Sequence, residues 1–406
     1  MADWYKPDKS APALLAGVKV VELATVIAAP TGACMLADFG ADVIKVERLG
    51  VGDTWRLDRA HLTPDSAWGG GPHFANNNRG KRSIQIDVKD PTHLAALQQL
   101  IGTADVFLTN VRPKALERCG LCYPSLAARF PRLVYAILTA WGLRGPKADD
   151  PGYDVGAFWA ASGMQDFTRH DDGDKPGNFP PGAGDHITSM QLVAGVALAL
   201  LHRQTTGRGQ LVDTCLLRSG IFGLGYPMLN VACAPGQKMV REPRTHHYRP
   251  SFNCYKCADG AWLQLLGLDH VRLMPRLLRA LGLAAADVAG KDEAAQIALF
   301  DALFAQHDSA HFERRLAEED MWYQRVQRLD EVLRDEACDE AFVRVPWADF
   351  PLVACPLQMG CSDKHGPAGP PPVAGEHTTA VLGAAGVDEA AIAKIVRDQA
   401  AARAKL

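Results

Sequence analysis

The sequence predicts an α/β protein with a parallel sheet, and three observations carry that expectation. Short β-branched runs alternate with helical stretches through the first half of the chain. The stretches between runs are long enough for βαβ crossovers, which cover a parallel sheet on both faces. The composition, 48% hydrophobic and 22% charged in 406 residues, supplies a large core and excludes a disordered chain.

The elements follow in order. Val18 to Leu23 (VKVVEL) is a strand, Ala24 to Pro30 a loop, and Thr31 to Phe39 a short helix closed by Gly40. Val43 to Glu47 (VIKVE) and Ser83 to Val88 are strands, and Pro91 opens the helix PTHLAALQQLI. Asp105 to Thr109 and Leu133 to Leu138 continue the sheet. Between about 146 and 184, Asp, Gly and Pro dominate, and a long irregular stretch of this kind is commonly functional. Thr188 to Gln204 reads as a buried helix, and Gln210 to Cys215 as another strand. From about 238 to 321 the pattern changes to a short strand pair around Cys254 to Leu266 followed by amphipathic helices. A final helix starts after Asp388.

Several functions are disfavoured. Acidic and basic residues number 46 and 43, so no basic excess invites nucleic acid or a membrane surface. The longest apolar run, Leu192 to Leu201, is half of what a spanning helix needs. The N-terminus lacks the apolar core of a secretory signal, and ten cysteines are too dilute for a disulfide scaffold. The expected location is therefore the cytoplasm, or the peroxisome in a eukaryote, because the chain ends Ala404-Lys405-Leu406. No Gly-x-Gly-x-x-Gly follows the first strand, and no P-loop, Gly-x-Ser-x-Gly or His-Glu-x-x-His occurs. The pairs Cys119/Cys122 and Cys254/Cys257, with His246 and His247 near the second, have zinc-ligand spacing but have 131 residues between them. No metal is expected.

Asp185 stands out, in Gly182-Ala183-Gly184-Asp185-His186 directly before the apolar helix. Two readings are open on pattern alone. An Asp there is a preferred N-cap. A carboxylate on a glycine-flanked loop can equally act as a nucleophile on an activated acyl group.

At this point a family resemblance enters. The segments LLAGVKVVELATVIAAPTGACMLADFGADVIKVER, NNRGKRSIQIDVKDP, DVFLTNVRPKALERCGL, PRLVYAILTAWGLRGP, PGYDVGAFWAASGM, GAGDHITSMQLVAGVALALLHRQTTGRGQLVD and VAGEHTTAVLGAAG, in this order, resemble the class III CoA-transferases, to which α-methylacyl-CoA racemase is related. The resemblance implies that Asp185 is the nucleophile of a CoA transfer from a donor acyl-CoA to a carboxylic acid, with the CoA thioester as substrate and no permanently bound cofactor. It places CoA contacts at Val26 and Ala28 near the thiol end, at Arg48 near the nucleotide phosphates, at Ile86 and Lys89 near the adenine, and at Asn110 and Arg118. Ile27 and Tyr153 match substrate contacts.

Two departures refine this. The racemase branch carries a histidine where this chain has Tyr153, and a phenol of pKa ~10 is a poor base at neutral pH. Acyl-CoA racemisation or isomerisation, and a non-catalytic acyl-CoA binder, are the alternatives. Formyl-CoA transferase has a glycine run absent here between 230 and 270, and a glutamine where Ile27 stands, so a larger acid is expected. The resemblance further implies a Rossmann-like large domain made from both chain ends (1–220 and 331–406), a smaller inserted α+β domain (221–330), and two such chains interlocked as a homodimer.

Overall fold

In the computed structural model, which describes residues 10–57, 66–169, 173–236, 244, 249–360 and 366–405, six strands pair in parallel in the order β3-β2-β1-β4-β5-β6. They are β1 (Lys19–Leu23), β2 (Asp42–Glu47), β3 (Arg82–Gln85), β4 (Val106–Thr109), β5 (Val134–Thr139) and β6 (Leu211–Cys215). In register, Val20 of β1 stands between Val43 of β2 and Val106 of β4. β5 is buried at all six positions, which only a strand covered on both faces requires. The order is that of doubly wound nucleotide-binding folds, although the sequence lacks their glycine fingerprint.

Each sheet face has its own apolar core. One joins Val20, Val43, Val106 and Val134 to α1 (Ala28–Asp38) and α7 (Ala183–Thr206). The other joins Val21, Ile44, Ile84 and Phe107 to α3 (Pro91–Gly102) and to the C-terminal helices Thr378–Ala384 and Glu389–Arg403. The strands match expectation to within a residue or two, except that β3 stops at Gln85. The Asp87 side chain accepts from the Lys89 N–H while its own N–H donates to His93, and this local turn ends the ladder.

Two helices begin earlier than the sequence suggests. α1 starts at Ala28 and absorbs Pro30, which a first turn tolerates because its N–H has no partner there anyway. α7 starts at Ala183 and runs 24 residues, so Asp185 is inside the helix. α7 is long and apolar enough to cross a membrane by length and composition, but its inner face packs on α1, with Leu192 and Val196 fully buried. Leu198 and Leu201 of the expected buried run are exposed at 66% and 61%, so the helix is one-sided rather than enclosed. Shorter helices that the sequence reading did not separate are α2 (Pro72–Asn78), α4 (Pro113–Arg118), α5 (Tyr123–Arg129), α6 (Met164–Phe167), α8 (Leu216–Gly223) and α9 (Gly225–Cys233).

The chain divides into two units. The larger contains 1–165, 178–229 and 340–406, and the smaller contains 166–177 and 230–339. The smaller has an antiparallel three-stranded sheet, Cys254–Lys256, Trp262–Leu265 and Tyr323–Arg325. Helices His270–Leu281, Glu293–Phe304 and Ser309–Glu318 share its core of Tyr255, Leu263, Leu277, Phe300 and Phe304. The third strand escaped the sequence reading because three residues, YQR, carry no period.

Leu192 fills the α1–α7 seam, where a Cβ on Gly32 would come within 3.2 Å of its Cδ2. Leu192→Ala is expected to cost about 2–5 kcal/mol, read as a lowered denaturant midpoint. A midpoint equal to that of the unsubstituted chain would show that the seam does not hold the unit.

Candidate active site

β1 and β4 are neighbours whose connections run to opposite sides of the sheet, β1 toward β2 and β4 toward β5. The loops leaving their C-terminal ends therefore diverge, and a crevice opens at this switch point. A cavity of about 470 Å³ lies there. Thr25 to Ala28 line it from the β1 loop, Asn110 to Pro113 from the β4 loop, and Leu138 to Ala140 from the end of β5, with Tyr153 and Asp185 completing it.

Asp185 is the third residue of α7, not its cap. The N-cap is Gly182, in the left-handed region at φ 78°, and no side chain caps the helix. Gly184 is required by close approach, since a Cβ there would lie 2.4 Å from Cγ of Phe158 in the π-helical turn Val155–Ala160. That contact seats the first turn of α7 against the turn that carries Asp154. Single π-helical turns are frequent at functional sites. Asp185 is 8% exposed, and among the described residues its carboxylate accepts no hydrogen bond. Burial, and secondarily the Asp154 charge, push its pKa up to about 7. Asp154 is itself buried and accepts from the Gly182 N–H at 2.9 Å, which holds the turn in front of α7. Ser189, one turn below Asp185, donates to the Ala28 carbonyl at 2.5 Å and so ties α7 to the first turn of α1.

Side chains anchor the facing loop at five backbone groups. Asn110 accepts from the Thr25 N–H (3.1 Å) and donates to the Thr25 carbonyl (2.8 Å). Lys45 donates to the Ala24 carbonyl and Lys81 to the Pro30 carbonyl, at 3.2 and 2.9 Å. The Val26 N–H donates to Asp53 at 3.1 Å. Behind the loop, Glu22, Lys45, Asp53 and Lys81 are all fully buried and pair in a chain: Lys81–Glu22 at 2.7 Å, Glu22–Lys45 at 2.9 Å and Lys45–Asp53 at 2.8 Å. Burial opposes the Lys45 charge, but Asp53, Glu22 and Glu47 outweigh it and the ammonium is held above its usual range. For Lys81 burial prevails and the pKa falls.

The structure thus brings together Val26, Ile27, Ala28, Asn110, Tyr153 and Asp185 around one cavity. Tyr153 is 67% exposed at its rim. Ile27 caps α1, its Cδ1 3.3 Å from where a Cβ of Gly182 would stand. Arg48, Ile86 and Lys89 do not line that cavity; they follow β2 and β3 along the same sheet edge. Arg48 and Lys89 are exposed, whereas Ile86 is buried at 3% exposure in the apolar core, its N–H donating to the Glu47 carbonyl at 2.9 Å. Arg118 is exposed at the end of α4, its Nε donating to the Lys114 carbonyl.

Two groups escaped the sequence reading. Arg112, next to Pro113 at the head of α4, lines the cavity; its proximity to the N-x-x-P segment was the available signal. Asp53 is addressed below. Among the described residues one His/carboxylate trio, Asp90, His93 and Asp398, has ligand atoms within 4.8 Å of one another, but Lys394 bonds both carboxylates, at 2.6 and 2.7 Å, and compensates the charge a cation would. Cys119 and Cys122 flank the α4–α5 turn, and Cys254 and Cys257 lie at the first strand of the smaller unit; all four are free thiols. His246 and His247 lie outside the described residues.

The sheet has the Rossmann order without its glycine fingerprint, and at its switch point stands a buried carboxylate, Asp185, with Asp154 buried beside it. The chain belongs to CoA-transferase family III, which it matches over residues 15–378. It is 34% identical over 268 residues to "(R)-2-hydroxy-4-methylpentanoate CoA-transferase" of Clostridioides difficile, a match covering 66% of each chain. It is 35% identical to "Cinnamoyl-CoA:phenyllactate CoA-transferase" of Clostridium sporogenes, over 66% of this chain and 65% of that one. The alignments thus span just under two thirds of these relatives. Among solved structures, a CAIB/BAIF family protein from Brucella suis superposes with TM-score 0.77 at 27% identity, covering 92% of this chain and 99% of that one.

The raised pKa of Asp185 has two measurable consequences. A reaction that needs its carboxylate should gain rate as pH rises through about 7 and level off above; a profile flat from pH 5 to 9 would contradict this. The folded chain also holds the Asp185 proton more tightly than the unfolded one does, so this residue's contribution to stability falls as pH rises from about 4 to 7. Asp185→Asn should therefore raise the melting temperature at pH 8 and have little effect at pH 4.

Proposed function

We propose that this chain transfers coenzyme A from a donor acyl-CoA to an acceptor carboxylic acid through covalent intermediates on Asp185. The observation that carries the reading is a buried carboxylate that accepts no hydrogen bond among the described residues, facing a cavity at the switch point of a family III fold. Burial strips the Asp185 carboxylate of part of its hydration, which raises its basicity and with it its nucleophilicity.

The chemistry runs in four balanced substitutions. An Asp185 oxygen attacks the thioester carbonyl, the new C–O bond replaces the C–S bond, and CoA leaves as thiolate with a mixed anhydride behind. The thiolate attacks the aspartyl carbonyl, which releases the donor acid and leaves an aspartyl-CoA thioester. The acceptor carboxylate attacks that thioester, forming a second anhydride and the thiolate again. The thiolate takes the acceptor's acyl group, and Asp185 returns as carboxylate. No oxidant or net proton is needed, and each acyl bond remains activated, so the exchange needs no ATP. Covalent catalysis of this type divides one difficult step into easier ones.

The sheet edge supports the binding mode. The loops after β4, β1, β2 and β3 lie in that spatial order, about 4.8 Å apart per strand. The row from Asn110 past Val26 and Arg48 to Lys89 therefore spans about 14 Å, about 10 Å of it beyond the cavity, suited to a thioester at Asp185 and a phosphorylated tail over Arg48 and Lys89. Ala28 would lie with Val26 at the thiol end, Ile86 would contact the tail beside Lys89, and Arg118 at the end of α4 would add a cation. Ile27 and Tyr153 line the acid's side, and the apolar Ile27 suits an acid larger than formate or oxalate. The two curated relatives are likewise named for larger acids. We place the enzyme in the cytoplasm, a reducing compartment that suits the free thiols among the described residues. We assign it as a homodimer of interlocked chains. Phe222 and Tyr226 of α8 and α9, each 82% exposed, and Leu229, 64% exposed, supply apolar surface for such an assembly.

Asp185→Ala should lower exchange between an acyl-CoA and a labelled free acid at least 10³-fold while leaving the circular dichroism spectrum unchanged. Appreciable residual transfer would sink the proposal, and α-deuterium wash-in without any acceptor acid would favour the racemase alternative.

A further inference from the structure

Val26 is one of two described non-glycine residues with positive φ, at 71°; the other, Asp320, follows a helix end. Asp tolerates that region, whereas a β-branched residue there is a genuine outlier whose strain its surroundings must offset. The restraint is visible. Oδ1 of Asp53 accepts from the Val26 N–H at 3.1 Å and from the Trp55 N–H at 3.0 Å, while Oδ2 pairs with Lys45 at 2.8 Å. The Asp53 N–H donates to Glu47 at 2.9 Å, and Glu47 is locked bidentately by Arg56, both bonds at 2.7 Å. Asp53 does not line the cavity. It stands behind Val26, and Val26 stands in the cavity wall.

We propose that Asp53 is a positioning residue of the transfer reaction. Its carboxylate, anchored by Lys45 and through it by Glu22 and Lys81, holds Val26 in the left-handed conformation, and the Val26–Ala28 segment consequently enters α1 at the angle that completes the cavity opposite Asp185. The proposal rests on the Asp185 reading above. A carboxylate is needed because a single side chain must accept two backbone N–H groups and also neutralise a buried ammonium. If the restraint is lost, Val26 relaxes to negative φ and the peptide on its C-terminal side turns, which displaces the wall residues by an ångström or more. A misplacement of that size costs about 10²-fold in rate.

The test is a double-mutant cycle between Asp53→Ala and Val26→Gly, run on the full chain with Asp185→Ala in parallel. Glycine takes positive φ without strain, so it needs the restraint less. Asp53→Ala is expected to lower kcat for exchange about 10–100-fold with a much smaller change in KM. The same substitution in the Val26→Gly background should cost at least 5-fold less than in the Val26 background. Hydrogen exchange read by mass spectrometry should show residues 24–30 losing protection in Asp53→Ala while β4 and β5 keep theirs. Equal losses in both backgrounds, an unchanged kcat, or unchanged protection of 24–30 would overturn the proposal. A global loss of protection would show Asp53 to be structural only, which overturns it as well. If Asp185→Ala retains transfer, the aspartyl reading fails on its own, and the protection of residues 24–30 still tests the restraint.

Discussion

Four fully buried charges, Glu22, Lys45, Asp53 and Lys81, underlie the geometry of the site. Two carboxylates and two ammonium groups sum to zero, but removing each from water costs several kcal/mol that pairing only partly returns. Such a chain is poorly explained as a source of stability. What it provides is direction: its ammonium and carboxylate groups reach the Ala24 carbonyl, the Val26 N–H and the Pro30 carbonyl, so a loop that would otherwise have several conformers has one. Removing a single partner would leave a buried charge uncompensated, and this makes the arrangement all-or-none.

From that loop the site is assembled by simple geometry. Asn110 ties the β1 loop to the β4 loop across the switch point, and Ser189 ties α1 to α7. Gly184 lets Phe158 press against the first turn of α7, which places Asp185 against the cavity while Asp154 holds the preceding turn. A rigid frame built from strands, helix ends and one restrained loop is what a carboxylate nucleophile needs, because its partial burial sets its basicity and its orientation sets the line of attack.

Much of this was legible in the sequence. β-branched runs and crossover-length helices gave the parallel sheet and its strands, because strands buried on both faces have a strong local signature. The family blocks pointed to Asp185 and to the loop residues Val26 to Ala28 and Asn110, and the structure gathers these around one cavity. The N-cap reading of Asp185 failed because Gly182, in the left-handed region, caps the helix instead and leaves Asp185 in its first turn, a placement that propensity does not show. The burial of Ile86 and the exposure of Leu198 depend on which face each element turns to its neighbours, and an unbroken apolar run cannot specify that. Asp53 could not be singled out because an aspartate in Gly-Asp-Thr-Trp reads as an ordinary turn residue. Its role comes from Lys45 and Val26, distant in sequence and brought close only by the sheet.

The central claim is that Asp185 carries the acyl group during transfer. Incubating the enzyme with an acyl-CoA and hydroxylamine, then mapping peptides by mass spectrometry, tests it directly. The account predicts an aspartyl hydroxamate at Asp185 that forms only when acyl-CoA is present. Continued CoA exchange with no modification at Asp185, or with modification at another carboxylate, would contradict it.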